Sequence, residues 1–205
     1  YVDRDADCVR DEQEEGIAGV LIELLNEAGE VVATTTTATD GTYRFEQLPA
    51  GVYSVRELQP SGYFQGGQQA GSGGGDDSLQ DLIRAIPVGW GESLVDYDFC
   101  ERLPAEISGL VYVDRDNDCI RDSGEPGLAG VLIELYDEAD RLVATTTTAA
   151  DGTYHFAELP AGVYSIRESQ PDGYYQGGQS AGSGGGDDSV ADVISSISIP
   201  WATSL

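Results

Sequence analysis

Asp3 and Asp114, Gly41 and Gly152, Pro60 and Pro171, Asp76 and Asp187, and Trp90 and Trp201 all stand 111 residues apart, with no insertion disturbing the register. Residues 1–94 and 112–205 agree at about two-thirds of positions, so the chain is a tandem duplication with one long period. Each copy must be able to form the same folded unit. The expected division is a first domain over 1–104 and a second over 105–205. The apolar run Ile107-Ser108-Gly109-Leu110-Val111 has no counterpart before Tyr1, and Val95-Asp96-Tyr97-Asp98-Phe99-Cys100 has none after Leu205. The first copy is therefore expected to lack its first strand and the second its last, as in an excerpt of a longer chain, which leaves a signal peptide or anchor unaddressed. Leu103-Pro104-Ala105 is the expected linker, short enough to hold the copies to a limited range of angles.

The chain of 205 residues carries 37 acidic and 10 basic side chains, and every basic one is arginine. A net charge of −27 opposes binding to nucleic acid or to anionic lipid surfaces, both of which need a cationic face. No stretch approaches the ~18 apolar residues of a membrane span, so direct membrane insertion is not expected. Crowded carboxylates raise the free energy of a compact state, and bound cations are the obvious relief.

Alternation and β-branched runs predict strands near 17–25, 31–38, 42–46, 52–58, 80–88 and 94–100, with a leading strand at 106–113. Asp40-Gly41 and Pro49-Ala50-Gly51 supply turns between them. Seven short strands and no helical period predict an all-β chain of two tandem immunoglobulin-like, seven-stranded β-sandwiches. Gly66-Gly67-Gln68-Gln69-Ala70-Gly71-Ser72-Gly73-Gly74-Gly75-Asp76-Asp77, nearly repeated at 177–188, reads as a long surface loop in each copy.

Asp3, Asp5, Asp7, Asp11 and Glu14 occupy positions 1, 3, 5, 9 and 12 of a loop, and Asp114, Asp116, Asp118, Asp122 and Glu125 repeat the set. That is the spacing of an EF-hand calcium loop, in which position 7, here Val9 or Ile120, adds its backbone carbonyl. A hard cation needs six to eight oxygens at short range, and alternate side chains on a tight loop converge to provide them. The residues after each loop read as a strand rather than an exiting helix. Calcium is thus expected to brace a β-domain.

The aspartate loop, the following Gly-hydrophobic-Ala-Gly-Val, and the string Asp40-Gly41-Thr42-Tyr43 through Leu48-Pro49-Ala50-Gly51-Val52-Tyr53-Ser54 together resemble the SdrD B-like domains of bacterial surface proteins, over nearly all of both copies. The resemblance implies a prealbumin-like sandwich, calcium at the aspartate loop, and a repeated stalk outside the cell; it implies no catalysis. Cys8 and Cys119 stand where such loops usually carry glycine, which costs ~1 kcal/mol if the left-handed backbone is kept. Related Cna B-type domains often cross-link lysine to asparagine, and a chain without lysine cannot.

Three cysteines leave one over. Cys100 recurs one period later at a position beyond Leu205, so Cys119 lacks a partner in its own copy, and Cys8 with Cys100 is the consistent intradomain pair. Parallel first and last strands, as in immunoglobulin-like folds, would bring the two to one pole, and the bond requires an oxidising compartment. Asp76-Asp77 and Asp187-Asp188 read chiefly as solvated turns, with a second ion as the alternative. Gly71-Ser72-Gly73-Gly74-Gly75 is followed by aspartates and no lysine, which rules out a phosphate cradle. His155 replaces Arg44 of the sister copy and offers no catalytic base, and the threonine runs 34–37 and 145–148 are strand formers. Tyr63-Phe64, Tyr174-Tyr175, Trp90 and Trp201 read first as core or inter-domain packing and second as a patch for a glycan or protein. The expectation is a non-enzymatic, extracellular or cell-surface fibre or adhesin module that partners neighbouring repeats of the same chain or fibre. A carbohydrate- or protein-binding adhesin domain is the alternative.

Overall fold

The computed structural model describes residues 1–201; residues 202–205, the end of the second expected domain, lie outside the described residues. The chain divides into two compact units, Tyr1–Leu103 and Pro104–Trp201. Each is all-β, with seven strands among the described residues. The first unit holds β1 (Leu21–Asn26), β2 (Val31–Thr36), β3 (Gly51–Glu57), β4 (Phe64–Gln69), β5 (Asp76–Leu79), β6 (Leu82–Val88) and β7 (Asp98–Arg102). The second holds β8 (Ala105–Leu110), β9 (Leu132–Asp137), β10 (Leu142–Thr147), β11 (Thr153–Leu159), β12 (Gly162–Glu168), β13 (Asp187–Val190) and β14 (Val193–Ile199).

A five-stranded antiparallel sheet is common to both units, in the order β2-β1-β3-β6-β5 and β10-β9-β12-β14-β13. Its inner face follows from period-2 alternation: Ile22 and Leu24 of β1 and Val55 of β3 are buried together. Ile83 and Ile86 are three apart yet share that face, because Ala85 at φ 57° makes a bulge that adds one residue to β6 opposite β3. Ser196 at φ 57° repeats the bulge between Ile194 and Ile197. The last threonine of each run locks the sheet to the preceding loop: Thr37 Oγ1 donates to the Ile17 carbonyl (2.6 Å) and accepts from Val20 N (2.9 Å), and Thr148 does the same with Leu128 (2.5 Å) and Val131 (2.9 Å).

The second sheet differs between the units. In the first it is β4 with β7; in the second it is β8 with β11. Residues 42–46, expected as a strand, form none, although the matching Thr153–Leu159 is β11. β11 pairs with β8, whereas 42–46 have no ladder partner among the described residues, and the same sequence is irregular there. Tyr43 and Phe45 still pack on the first core.

Two expectations are corrected. The glycine-rich stretch is not one loop, since 64–69 and 76–79 are strands β4 and β5. Leu103 is not linker either: it is 1% exposed in the first core, and Ala105 opens β8.

Candidate metal centre and the disulfide beside it

The first aspartate loop leaves Val2, which bridges Glu101 in parallel, and Asp3 N donates to the Glu101 carbonyl (2.7 Å). Asp3 is thereby drawn inside, at 2% exposure. Its Oδ1 accepts from Ala6 N (2.7 Å), its Oδ2 from Cys8 N (3.3 Å), and the Arg102 guanidinium lies 3.3 Å from Oδ2. Ala6 and Cys8 take φ of 74° and 54°, which curls the loop around that carboxylate. Glu14 returns from the far side, its Oε1 accepting from Arg4 N (2.8 Å) and its Oε2 from Asp11 N (3.1 Å).

The result gathers one carboxylate oxygen each from Asp3, Asp5 and Glu14 within 4.8 Å of one another. In the second copy the gathered set is Asp114, Asp116 and Asp118. Glu125 there caps the loop as Glu14 does in the first copy, accepting from Arg115 N (2.7 Å) and Asp122 N (3.0 Å). Asp7 is turned to Val9 N (2.7 Å) in the first copy, and Asp118 makes the same bond to Ile120 N (2.7 Å) in the second. Val9 and Ile120 are exposed, at the outer turn of each loop. Opposed ligands of one calcium ion lie about 5 Å apart, so both oxygen sets fit a hard divalent cation. The crowding is visible in their acidity. Asp118's charge raises the Asp116 carboxyl, whereas the Cys119 N–H holds Asp114 low.

A disulfide joins Cys8 to Cys100 across a sequence separation of 92, tying the loop to β7. It explains two glycines better than loop flexibility does. A Cβ on Gly66 would lie 2.6 Å from the Cys100 carbonyl oxygen, and one on Gly67 would lie 3.2 Å from Cys8 Sγ, so β4 crosses the bond where no side chain fits. Cys119 holds the same left-handed backbone, φ 58°, with a free thiol.

Other singled-out residues are engaged with the protein. Asp76 pairs with Arg84 (2.7 Å), and its carboxyl is held down to about 2, chiefly by Ser78 hydrogen bonding. Asp77 and Asp188 accept from Ala70 N and Ala181 N, both at 3.0 Å. His155 lies 2.9 Å from Glu106 on the surface. Tyr63 packs on the first core, whereas Trp90 is 84% exposed and Tyr175 is 96% exposed, so neither of these two is a core residue of its own unit.

Sequence reading missed one group. Glu57, Asp81 and Glu101 bring carboxylate oxygens within 4.8 Å of one another inside the first unit. Their signal was register: Val55 and Glu57 share a strand face, so alternation places a charge where the core is.

The model for the SdrD B-like domain matches residues 1–98 and again 105–203. The chain belongs to the SdrD B-like domain family. Serine-aspartate repeat-containing protein F of Staphylococcus epidermidis is 34% identical over 192 residues, 94% of this chain and 12% of that protein. Serine-aspartate repeat-containing protein D of Staphylococcus aureus is 33% identical over 174 residues, 85% of this chain and 13% of that one. This SdrD B-like pair thus spans about an eighth of the curated relatives it matches. Among solved structures, the shaft pilin SpaA of Lactobacillus rhamnosus GG overlaps 92% of this chain and 87% of its own at a TM-score of 0.41 and 14% identity. The minor pilin GBS52 of Streptococcus agalactiae gives 92%, 82%, 0.31 and 18%.

Proposed function

We propose that each SdrD B-like repeat is a non-enzymatic structural module of an extracellular stalk or fibre, stiffened by calcium at its aspartate loop. The observation that carries this reading is that both loops, 111 residues apart, converge on a trio of carboxylate oxygens spaced for one hard cation. Asp3, Asp5, Glu14 and their counterparts from Asp114 to Glu125 would hold it, with Asp7, Asp11, Asp122 and the Val9 and Ile120 carbonyls available to complete a shell. Calcium supplies positive charge between carboxylates that otherwise repel. An ion that binds only the folded form stabilises it by about 4 kcal/mol at a thousandfold excess over its Kd.

The disulfide supports the same mechanical role. Tension applied along the chain would enter before Cys8, cross the covalent bond and leave after Cys100, so the intervening strands would be spared extension. Such a bond takes over the load-bearing task of a lysine-asparagine cross-link, which this composition cannot form. Cell-surface location and neighbouring repeats as partners follow from this reading and from the family.

The test is calorimetric calcium titration with parallel thermal melts in calcium and in excess chelator. The expected result is at least one site per repeat and a marked fall in Tm on chelation, with Asp116→Ala removing the site of the second copy alone. Absence of binding and of any Tm shift would refute calcium stiffening. The exposed Trp90 and Tyr175 favour a second reading, a glycan- or protein-docking face. Saturable binding on a glycan array that Trp90→Ala abolishes in folded protein would establish it.

A further inference from the structure

We propose that the first repeat holds a second hard divalent cation, of calcium's size, inside the sandwich between Glu57, Asp81 and Glu101, separate from the aspartate loop. The three reach one point from different strands and turns. Glu57 ends β3, and its N–H donates to the Asp81 carbonyl (3.0 Å) at the turn before β6; Glu101 comes from β7 in the other sheet. Glu101 is 0% exposed and Glu57 6% exposed.

Acidity alone would not make this a site; the unmet valences do. Glu57 Oε2, Asp81 Oδ1 and Glu101 Oε1 are all buried without a hydrogen-bond partner, and these three carboxylates are the ones whose oxygens converge within 4.8 Å. Gln65 Oε1 is buried and unpartnered as well. Gln65 lies directly opposite Glu101 in the β4–β7 ladder, on the same face of that sheet, and is tied to the Asp81 turn because Gln68 Oε1 accepts from both Gln65 Nε2 (2.9 Å) and Asp81 N (3.2 Å). Each of three converging carboxylates, two of them on fully or nearly buried glutamates, thus has an oxygen without a donor, and so does Gln65 on the facing strand. A buried carboxylate oxygen left without a partner is costly, and groups in this condition are hydrogen-bonded, protonated or bound to metal.

The second carboxylate oxygen of Glu101 accepts from Gln59 Nε2, which leaves Oε1 without a donor. Burial raises the pKa of Glu57, Glu101 and Asp81 alike, and Glu57 is raised further by the charge and hydrogen bonding of Glu101 beside it, as expected of carboxylates enclosed together. Three carboxylates and an amide oxygen suit calcium, with a bidentate carboxylate or water completing its six to eight ligands. In the second copy Glu168 and Asp192 recur, and Asp192 Oδ1 is again buried and unpartnered, but Gln176 is exposed and no strand brings a counterpart of Glu101 among the described residues. Among the described residues, the whole set is assembled in the first copy.

The experiment counts calcium ions per chain by equilibrium dialysis in protein whose loops are disabled by Asp5→Ala, Asp7→Ala, Asp116→Ala and Asp118→Ala, all exposed positions. One ion should remain and should be lost with Glu101→Gln or with Asp81→Asn, the milder change at a half-exposed residue. Should the loop changes unfold the chain, Asp81→Asn in the otherwise intact protein should lower the count by one. No ion in the loop-disabled protein, or an ion retained by both variants, would overturn the proposal. So would a rise in Tm on Glu101→Gln that is equal in calcium and in chelator with no change in count, the mark of glutamates that share a proton. If the aspartate loops bind nothing, the intact chain would still hold one ion sensitive to Glu101→Gln, so failure at either site is read separately.

Discussion

Thr42-Tyr43-Arg44-Phe45 in the first repeat and Thr153-Tyr154-His155-Phe156 in the second differ at one residue, yet only the second is a strand. Phe64–Gln69 and residues 175–180 show the reverse, a strand in the first copy and none in the second. In each case the stretch that is a strand has its ladder partner among the described residues, β8 for β11 and β7 for β4, and the irregular one has none there. Strand formation at these positions is a property of the pair. The central five-stranded sheet, whose members are complete in both copies, is the same in each. Among the described residues, β7 with its cysteine, glutamate and arginine belongs to the first copy.

The largest expected difference between the copies is mechanical. In single-molecule stretching the first repeat should release only the residues outside its disulfide, and reduction should add ~300 Å of contour, from a separation of 92 residues at ~3.4 Å each. The second repeat should extend fully in either condition; a first repeat that also does so unreduced would remove the covalent bypass.

In equilibrium unfolding, Cys100→Ala should destabilise the first repeat by ~4 kcal/mol and leave the second unchanged, since a closed loop of this length restricts the unfolded chain by that order. Intrinsic tyrosine and tryptophan fluorescence with urea, read on each repeat alone and in the pair, would show it. Equal losses in both repeats would mean that the copies unfold as one unit.

Core truncation sharpens the comparison at a smaller scale. Ile83 is 0% exposed and its counterpart Ile194 is only partly buried, so Ile83→Ala should cost ~3–4 kcal/mol and Ile194→Ala distinctly less. Leu24→Ala and Leu135→Ala, buried alike in the shared sheet, should cost the same. The smallest difference should be at the threonine locks. Thr37→Val and Thr148→Val each remove a donor to a loop carbonyl and an acceptor for a strand N–H, about 1–2 kcal/mol in either copy.

The parts of this fold that were legible in the sequence are those set by local pattern. Alternation marked Ile22, Leu24 and Val55 as one face, and the repeat register placed Cys100 where its strand could meet the loop of Cys8. What escaped depends on distant neighbours. Gly66 and Gly67 looked like loop residues because sequence does not show a disulfide pressing on a strand. The loop carboxylates were identifiable by spacing, yet whether Glu14 or Asp118 joins the gathered trio depends on how each loop is held, as Asp3 is by Arg102 of β7. Glu57, Asp81 and Glu101 have no common spacing, and only the fold assembles them.

Hydrogen exchange resolved along the chain, in calcium and then in chelator, tests the central claim most directly, because it reads the two aspartate loops separately in one molecule. The account predicts that chelation strips protection from the backbone amides of residues 3–15 and 114–126 in both copies. The loss should be smaller in the first, where the disulfide and Arg102 still hold Asp3 and Cys8 in place. Protection unchanged by chelation in both loops would contradict it, leaving covalent and core contacts alone to stiffen the repeats.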